Sequence, residues 1–229
     1  MFKKLLAGLG FGGAKIKLFL PDVQLRQGNT VEGKIILAGG NIPQEAAQAY
    51  IHLEVTSYFD PGTGEKMFTD TLDSLLIKCP LEIDGEHFWE EIPFFYTVPT
   101  GIPFSAGSTR YELISGLDIR DAINPVERLD IKILPIAEIE AVTTAIEKMG
   151  FLPQYPHGSF DGKVQRLVYK PPSDSPGKRG PITVNFRIVS SGIMICFNGS
   201  SYKLESASLL TGGYPDPDKA EALIKDYFS

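Results

Sequence analysis

A two-residue alternation runs through residues 51–56, where Ile51, Leu53 and Val55 interleave with His52, Glu54 and Thr56. Successive side chains of a strand point to opposite faces, so this stretch predicts a strand that buries its aliphatic set and leaves its polar set in water. The same signature recurs along the chain. Seven segments rich in β-branched and aromatic residues, at 15–20, 31–37, 50–58, 67–78, 87–97, 110–119 and 127–134, are separated by turn chemistry. Gln27-Gly28-Asn29, Gly39-Gly40-Asn41, Asp60-Pro61-Gly62-Thr63-Gly64 and Asp84-Gly85 supply the positive or preset φ that tight turns need. Many short strands with such punctuation form a sandwich or barrel. A chain of 229 residues has room for two modest domains, and 43% apolar content gives it enough material for real cores.

Within the fifth segment Trp89, Phe94, Phe95 and Tyr96 read as core between two sheets, while Pro93 belongs at an edge or bulge because it cannot donate to a ladder. After Pro135 the period changes. Ile136, Ile139, Val142, Ile146 and Met149 recur at helical spacing, and Gly150 stands where a helix C-cap wants it. That stripe reads as packing onto neighbouring structure rather than as a partner-binding helix. Residues 163–170 read as a strand. Next comes a hairpin in which Val184, Phe186 and Ile188 alternate with Thr183, Asn185 and Arg187, Ser191-Gly192 turns the chain, and 193–197 returns. Asp216 as N-cap, Pro217 and Asp218 announce a last helix carrying Leu223, Ile224, Tyr227 and Phe228. The expected organisation is a mainly β chain: an antiparallel, immunoglobulin-like β-sandwich over residues 1–135, then a smaller β-rich domain with two helices over 136–229.

Composition removes several function classes. The charge balance, 22 basic against 28 acidic residues for a net −6, argues against a broad nucleic-acid face, which needs clustered Lys and Arg. Cys79 and Cys196 are too few for a disulfide scaffold, and neither they nor the scattered His52, His87 and His157 have metal-ligand spacing, so no metal or other cofactor is expected. Gly8, Gly10 and Gly13 spell GxGxxG without the preceding strand and following helix that the dinucleotide fingerprint requires. No nucleophile elbow, zinc helix, phosphate loop or kinase motif occurs. The nearest paired carboxylates, Asp70 with Asp73 and Glu90 with Glu91, diverge on an ideal extended strand and read as solvated charge. No catalytic residue is assigned.

The first residues, Met1 to Ala14, have the outline of a short signal peptide, but four glycines weaken any helix there, and no stretch reaches the ~18 apolar residues of a membrane span. A cytoplasmic chain is expected. Phe2, Lys3, Lys4, Leu5 and Leu6 are the candidate residues for contact with a partner or a membrane surface, set against an ordinary docked terminus.

Several motifs resemble a known family in their order. Phe2-Lys3-Lys4 through Gly13-Ala14-Lys15, Gln27-Gly28 with Val31 and Gly33, and Gly39-Gly40 followed by Tyr50-Ile51-His52-Leu53-Glu54-Val55 resemble the start of the bacterial sporulation-control (SpoOM) family. Phe94-Phe95-Tyr96-Thr97-Val98-Pro99, Ile102-Pro103-Phe104 and Arg110-Tyr111-Glu112-Leu113 are similar to the strand, proline-rich loop and strand order of arrestin-type domains. Leu117-Asp118-Ile119, Ala122-Ile123-Asn124-Pro125, Ala145 through Phe151 and Val164-Gln165 continue the likeness into the second half. The resemblance implies an arrestin-like sandwich serving as a non-catalytic regulatory or adaptor protein in sporulation or stress control, acting on other proteins. A sandwich edge can accept a partner strand. A secreted or surface ligand-binding sandwich is the alternative, and a paired-carboxylate hydrolase a distant third.

Overall fold

The computed structural model describes residues 13–40, 43–78, 81–85, 88–119, 124–173 and 180–228. Nine strands come first: β1 (Lys15–Phe19), β2 (Gln24–Arg26), β3 (Thr30–Ala38), β4 (Gln44–Phe59), β5 (Lys66–Lys78), β6 (Leu81–Ile83), β7 (Trp89–Thr97), β8 (Thr109–Ile119) and β9 (Val126–Leu134). They form two layers. One sheet has the order β1-β3-β7, and the other runs β2-β9-β8-β4-β5 with β6 also on β4. All seven strands expected from the alternation are present. The pairings are antiparallel except at β2, which lies parallel to β9 through Gln24↔Lys132 to Arg26↔Leu134.

β4 is longer than its pattern foretold, because Ala46 and Ala49 extend the buried face toward the N-terminus without the bulk that marks a strand in sequence. Ile51, Leu53 and Val55 are fully buried as expected. They meet Ile16, Leu18, Ile35, Leu37, Phe94 and Tyr96 from the opposite sheet in one core cluster. Each such side chain contributes roughly 1.5–3 kcal/mol by leaving water. Gly33 lies directly across from Phe94, whose ring occupies the space where a Cβ would sit, 2.5 Å away.

The second half begins with helix α1 (Ala137–Lys148). Gly150, at φ +87, closes it: Gly150 N donates to Glu147 O at 2.9 Å and Phe151 N to Ile146 O at 3.3 Å. This is a Schellman ending, so the expected glycine cap is found. Then come β10 (Leu152–Pro153), β11 (Ser159–Phe160), β12 (Gln165–Lys170), β13 (Ile182–Val189), β14 (Gly192–Phe197), β15 (Ser200–Glu205), a 3-10 turn (Ser206–Ser208), β16 (Leu210–Thr211), β17 (Tyr214–Pro215) and helix α2 (Pro217–Phe228). The sheet order is β10-β12-β13-β14-β15, with β11 on β12. The β13–β14 turn falls one residue earlier than expected, since Gly192 already pairs with Val189. Asn198 and Gly199, at φ +46 and +94, make the β14–β15 turn, the primed type that suits strand twist. Asp216 caps α2 by accepting from Lys219 N at 3.1 Å. Both helices place buried residues, among them Val142, Ala145, Ala220 and Ile224, in the core cluster that also holds Leu167, Val184 and Ile195 of this sheet.

Candidate interaction surfaces

Strand registers in the three-stranded sheet place a set of residues on its outward face. Lys15 lies across from Ala38 and Trp89, Lys17 from Ile36 and Glu91, and Phe19 from Lys34 and Pro93; Phe95 stands beside Glu32. Period two makes these one face, opposite the core-facing Phe94 and Tyr96. Reading all four aromatics of β7 as core is therefore corrected. Phe94 and Tyr96 are buried, whereas Trp89 is 42% exposed and Phe95 66% exposed, because neighbouring positions cannot both point inward. Phe19 is 48% exposed, with the Lys34 ammonium 5.6 Å from its ring centre. Lys34 also reaches Glu91 at 2.7 Å. Pro93 sits on the edge strand β7, as its missing N–H requires.

The four carboxylates weighed as a hydrolytic pair behave differently from one another. Glu91 is held by Lys34 on the outward face, while Glu90, its neighbour on the strand, turns the other way. Asp70 pairs with Val55 and Asp73 with Leu53, two positions that share the buried face of β4. The expected divergence of the two aspartates is therefore overturned by a bulge in β5, whose extra residue brings both to one side of the sheet. Asp73 comes near the buried Tyr96 hydroxyl. Burial first, and then the nearby charge of Asp73, push that phenol far above its ordinary value.

His52 lies on β4 and His157 in the turn between β10 and β11. His52 Nδ1 is 2.8 Å from Ser74 Oγ and its ring packs 4.4 Å from that of Tyr50. His157 is half-buried, with Nδ1 2.8 Å from Val168 O and its ring edge-on to Tyr169. Burial lowers its pKa below 6.5. Among the described residues no group of three His, Cys, Asp or Glu is gathered for a metal ion, and no helix is long and apolar enough to cross a membrane. Phe2, Lys3, Lys4, Leu5, Leu6, Cys79 and His87 lie outside the described residues.

A polar seam, invisible in sequence, joins the sandwich to the C-terminal sheet. Ser57 Oγ and Thr109 Oγ1, on adjacent strands, are 2.8 Å apart; Thr109 donates to Gly158 O at 2.5 Å, and Phe160 N donates to Ser57 Oγ at 2.9 Å. Ser57 is fully buried and Thr109 only 2% exposed. Two glutamines fasten the rest. Gln165 exchanges hydrogen bonds with Phe104 N at 3.0 Å and Phe104 O at 2.7 Å, imitating a strand backbone. Gln27 donates to Ile102 O and accepts from Ile136 N. Arg26 meets Glu140 of α1 at 2.5 Å. Two clefts flank this seam. One of about 780 Å³ is lined by Tyr58, Arg110, Tyr155 and His157. The other, of about 590 Å³, lies between the 100–104 loop and strands β12 and β13.

Comparison with known proteins agrees with this architecture. Residues 2–198 match the sequence model of the family described as SpoOM protein. The sporulation-control protein spo0M of Bacillus subtilis (strain 168) is 28% identical over 151 residues, which are 66% of this chain and 58% of that protein. The crystal structure of Spo0M, sporulation control protein, from Bacillus subtilis superposes with a TM-score of 0.82 at 19% identity, covering 95% of this chain and 98% of that one, and so shares its fold.

Proposed function

The chain belongs to the SpoOM protein family, and on that premise we propose that it is a non-catalytic regulatory adaptor of sporulation or stress control, working in the cytoplasm by binding other proteins. The proposal divides it at residue 135 into a sandwich that presents the binding surface and a smaller C-terminal domain. One observation carries the reading. Phe19, Trp89 and Phe95 stand exposed on a single sheet face among Lys15, Lys17, Lys34, Glu32 and Glu91. Exposed aromatic side chains set among charges on one face suit a protein contact, whose energy aromatic residues dominate. Phe2, Lys3, Lys4, Leu5 and Leu6 are, under this reading, further residues for contact with a partner or a membrane surface. The test is affinity capture from cells making the protein, with the intact chain and Phe95→Asp as parallel baits. A partner recovered by the intact chain and lost by the variant supports the proposal. Equal recovery by both baits removes this face from it, and no specific partner in either removes the adaptor reading.

A further inference from the structure

The second sheet contains a notch. β13 runs from Ile182 to Val189, but β12 accompanies it only through Tyr169↔Ile182, Val168↔Thr183 and Leu167↔Val184. Before Leu167, β12 pairs instead with β11, through Arg166↔Ser159 and Gln165↔Phe160. On its other side β13 stays paired with β14 as far as Val189↔Gly192. Residues 185–189 are therefore open on the β12 side among the described residues. The phase of the hairpin says which groups are exposed. Asn198 N donates to Thr183 O at 3.0 Å, and the tight turn closes on Val189 and Gly192, so alternate residues from Thr183 onward aim their N–H and C=O at β14. Phe186 and Ile188 aim theirs into the notch.

The 590 Å³ cleft occupies this opening. Phe104, Ile139, Phe160 and Leu167 contribute its apolar lining, and the charged side chains at its margin are Lys163 and Arg187, with no Asp or Glu. Neither cation is in an ion pair among the described residues. In a chain of net charge −6 that is a local inversion of sign. Three other edges are blunted or featureless among the described residues. β5 carries two register shifts against β4, β7 carries Pro93, and β15 presents Ser201, Lys203 and Glu205, the last two paired at 2.6 Å.

We propose that the open edge of β13 is a second docking site, separate from the aromatic face, and that it takes an extended peptide of a partner protein, apolar at alternate positions and acidic between them. Directly opposed residues of paired strands share a face. Side chains opposite Phe186 and Ile188 therefore enter the apolar cleft, and the residue opposite Arg187 faces its guanidinium. Five residues of strand span about 17 Å, so a short segment suffices. Backbone pairing supplies affinity, and the cleft and cations supply selection.

The test uses a fluorescent heptapeptide alternating glutamate and valine, titrated into the full ¹⁵N-labelled chain. Expected are saturable binding that shifts the amide resonances of Phe186 and Ile188, and about tenfold or greater weakening when the pairing amides of the peptide are N-methylated, since two hydrogen bonds are lost. A lysine–valine peptide binds at least about tenfold more weakly, and Arg187→Glu reverses that order. Ile188→Pro, which removes an amide no strand uses, abolishes binding while the remaining spectrum stays folded. Absence of binding at millimolar peptide, indifference to N-methylation, or shifts confined to β15 or to a self-association surface overturn the proposal. Because the probe is synthetic, these outcomes are independent of whether the aromatic face has a cellular partner.

Discussion

Replacing Ser57 by alanine tests the buried seam that couples the two halves of the chain. The substitution removes the oxygen that accepts from Phe160 N at 2.9 Å and meets the Thr109 hydroxyl at 2.8 Å. Thr109 keeps Gly158 O as its acceptor at 2.5 Å, so the main loss is an unsatisfied amide in a site water does not reach. A buried donor left unpaired costs about 1–3 kcal/mol, and ~2 kcal/mol is the working figure. For a chain of this size ~1 kcal/mol moves Tm by about 2–4 °C, giving an expected fall of ~4–8 °C. The control is Thr56→Ala, one residue away on the solvent side, whose hydroxyl is 3.3 Å from that of Thr69. A surface change of that kind stays within ~0.5 kcal/mol, or under ~2 °C. Calorimetry and urea unfolding of both variants read the difference. Ser57→Ala and Thr56→Ala falling together, within a degree or two of the parent, would refute the reasoning.

Gly158→Ala is expected to cost more than ~2 kcal/mol, because φ is +73 and the added Cβ would lie 2.0 Å from Ala106 O. Gly62→Ala, at φ +90 with nothing nearby, pays only the left-handed penalty of about 1–2 kcal/mol; equal losses in urea titrations would contradict the packing account. His157 has a pKa held below 6.5 by burial, so the unfolded chain takes up its proton first on acidification. Its contribution to stability is complete above pH ~6.5 and is lost as pH falls toward the folded pKa. Urea midpoints at pH 7.5 and 5.5 therefore differ more for the parent than for His157→Gln, and an unchanged difference would count against the assignment. Phe95→Asp leaves Tm within the ~0.5 kcal/mol range of surface changes, since the ring is 66% exposed; a large fall would mean that it serves the core after all.

The long strands were legible because each carries several repeats of a period: Ile51, Leu53 and Val55 announce β4 without any knowledge of its partners. β2, β6, β10, β11, β16 and β17 have two or three residues each, too few to show a period. Asp161-Gly162 is the turn signal that marks the β11–β12 hairpin, yet residues 163–170 read as an isolated strand without it. Asp70 and Asp73 were misplaced for a different reason. A bulge adds one residue and reverses every facing argument beyond it, and nothing in the local residue types announces one. Exposed aromatics on β7 were visible as aromatics, but their face depended on which of two adjacent residues took the core. The seam and the notch depend on contacts between distant segments, such as Ser57 with Phe160 and Gln165 with Phe104. No local pattern encodes those.

Site-specific photocrosslinking in cells tests the adaptor account most directly, with benzoylphenylalanine placed at Phe95 and, as control, at Thr69 on the exposed face of the other sheet. The account predicts discrete adducts to another protein from position 95 that are absent from position 69. Adducts of equal pattern from both positions, or none from 95 in any growth state, would contradict it.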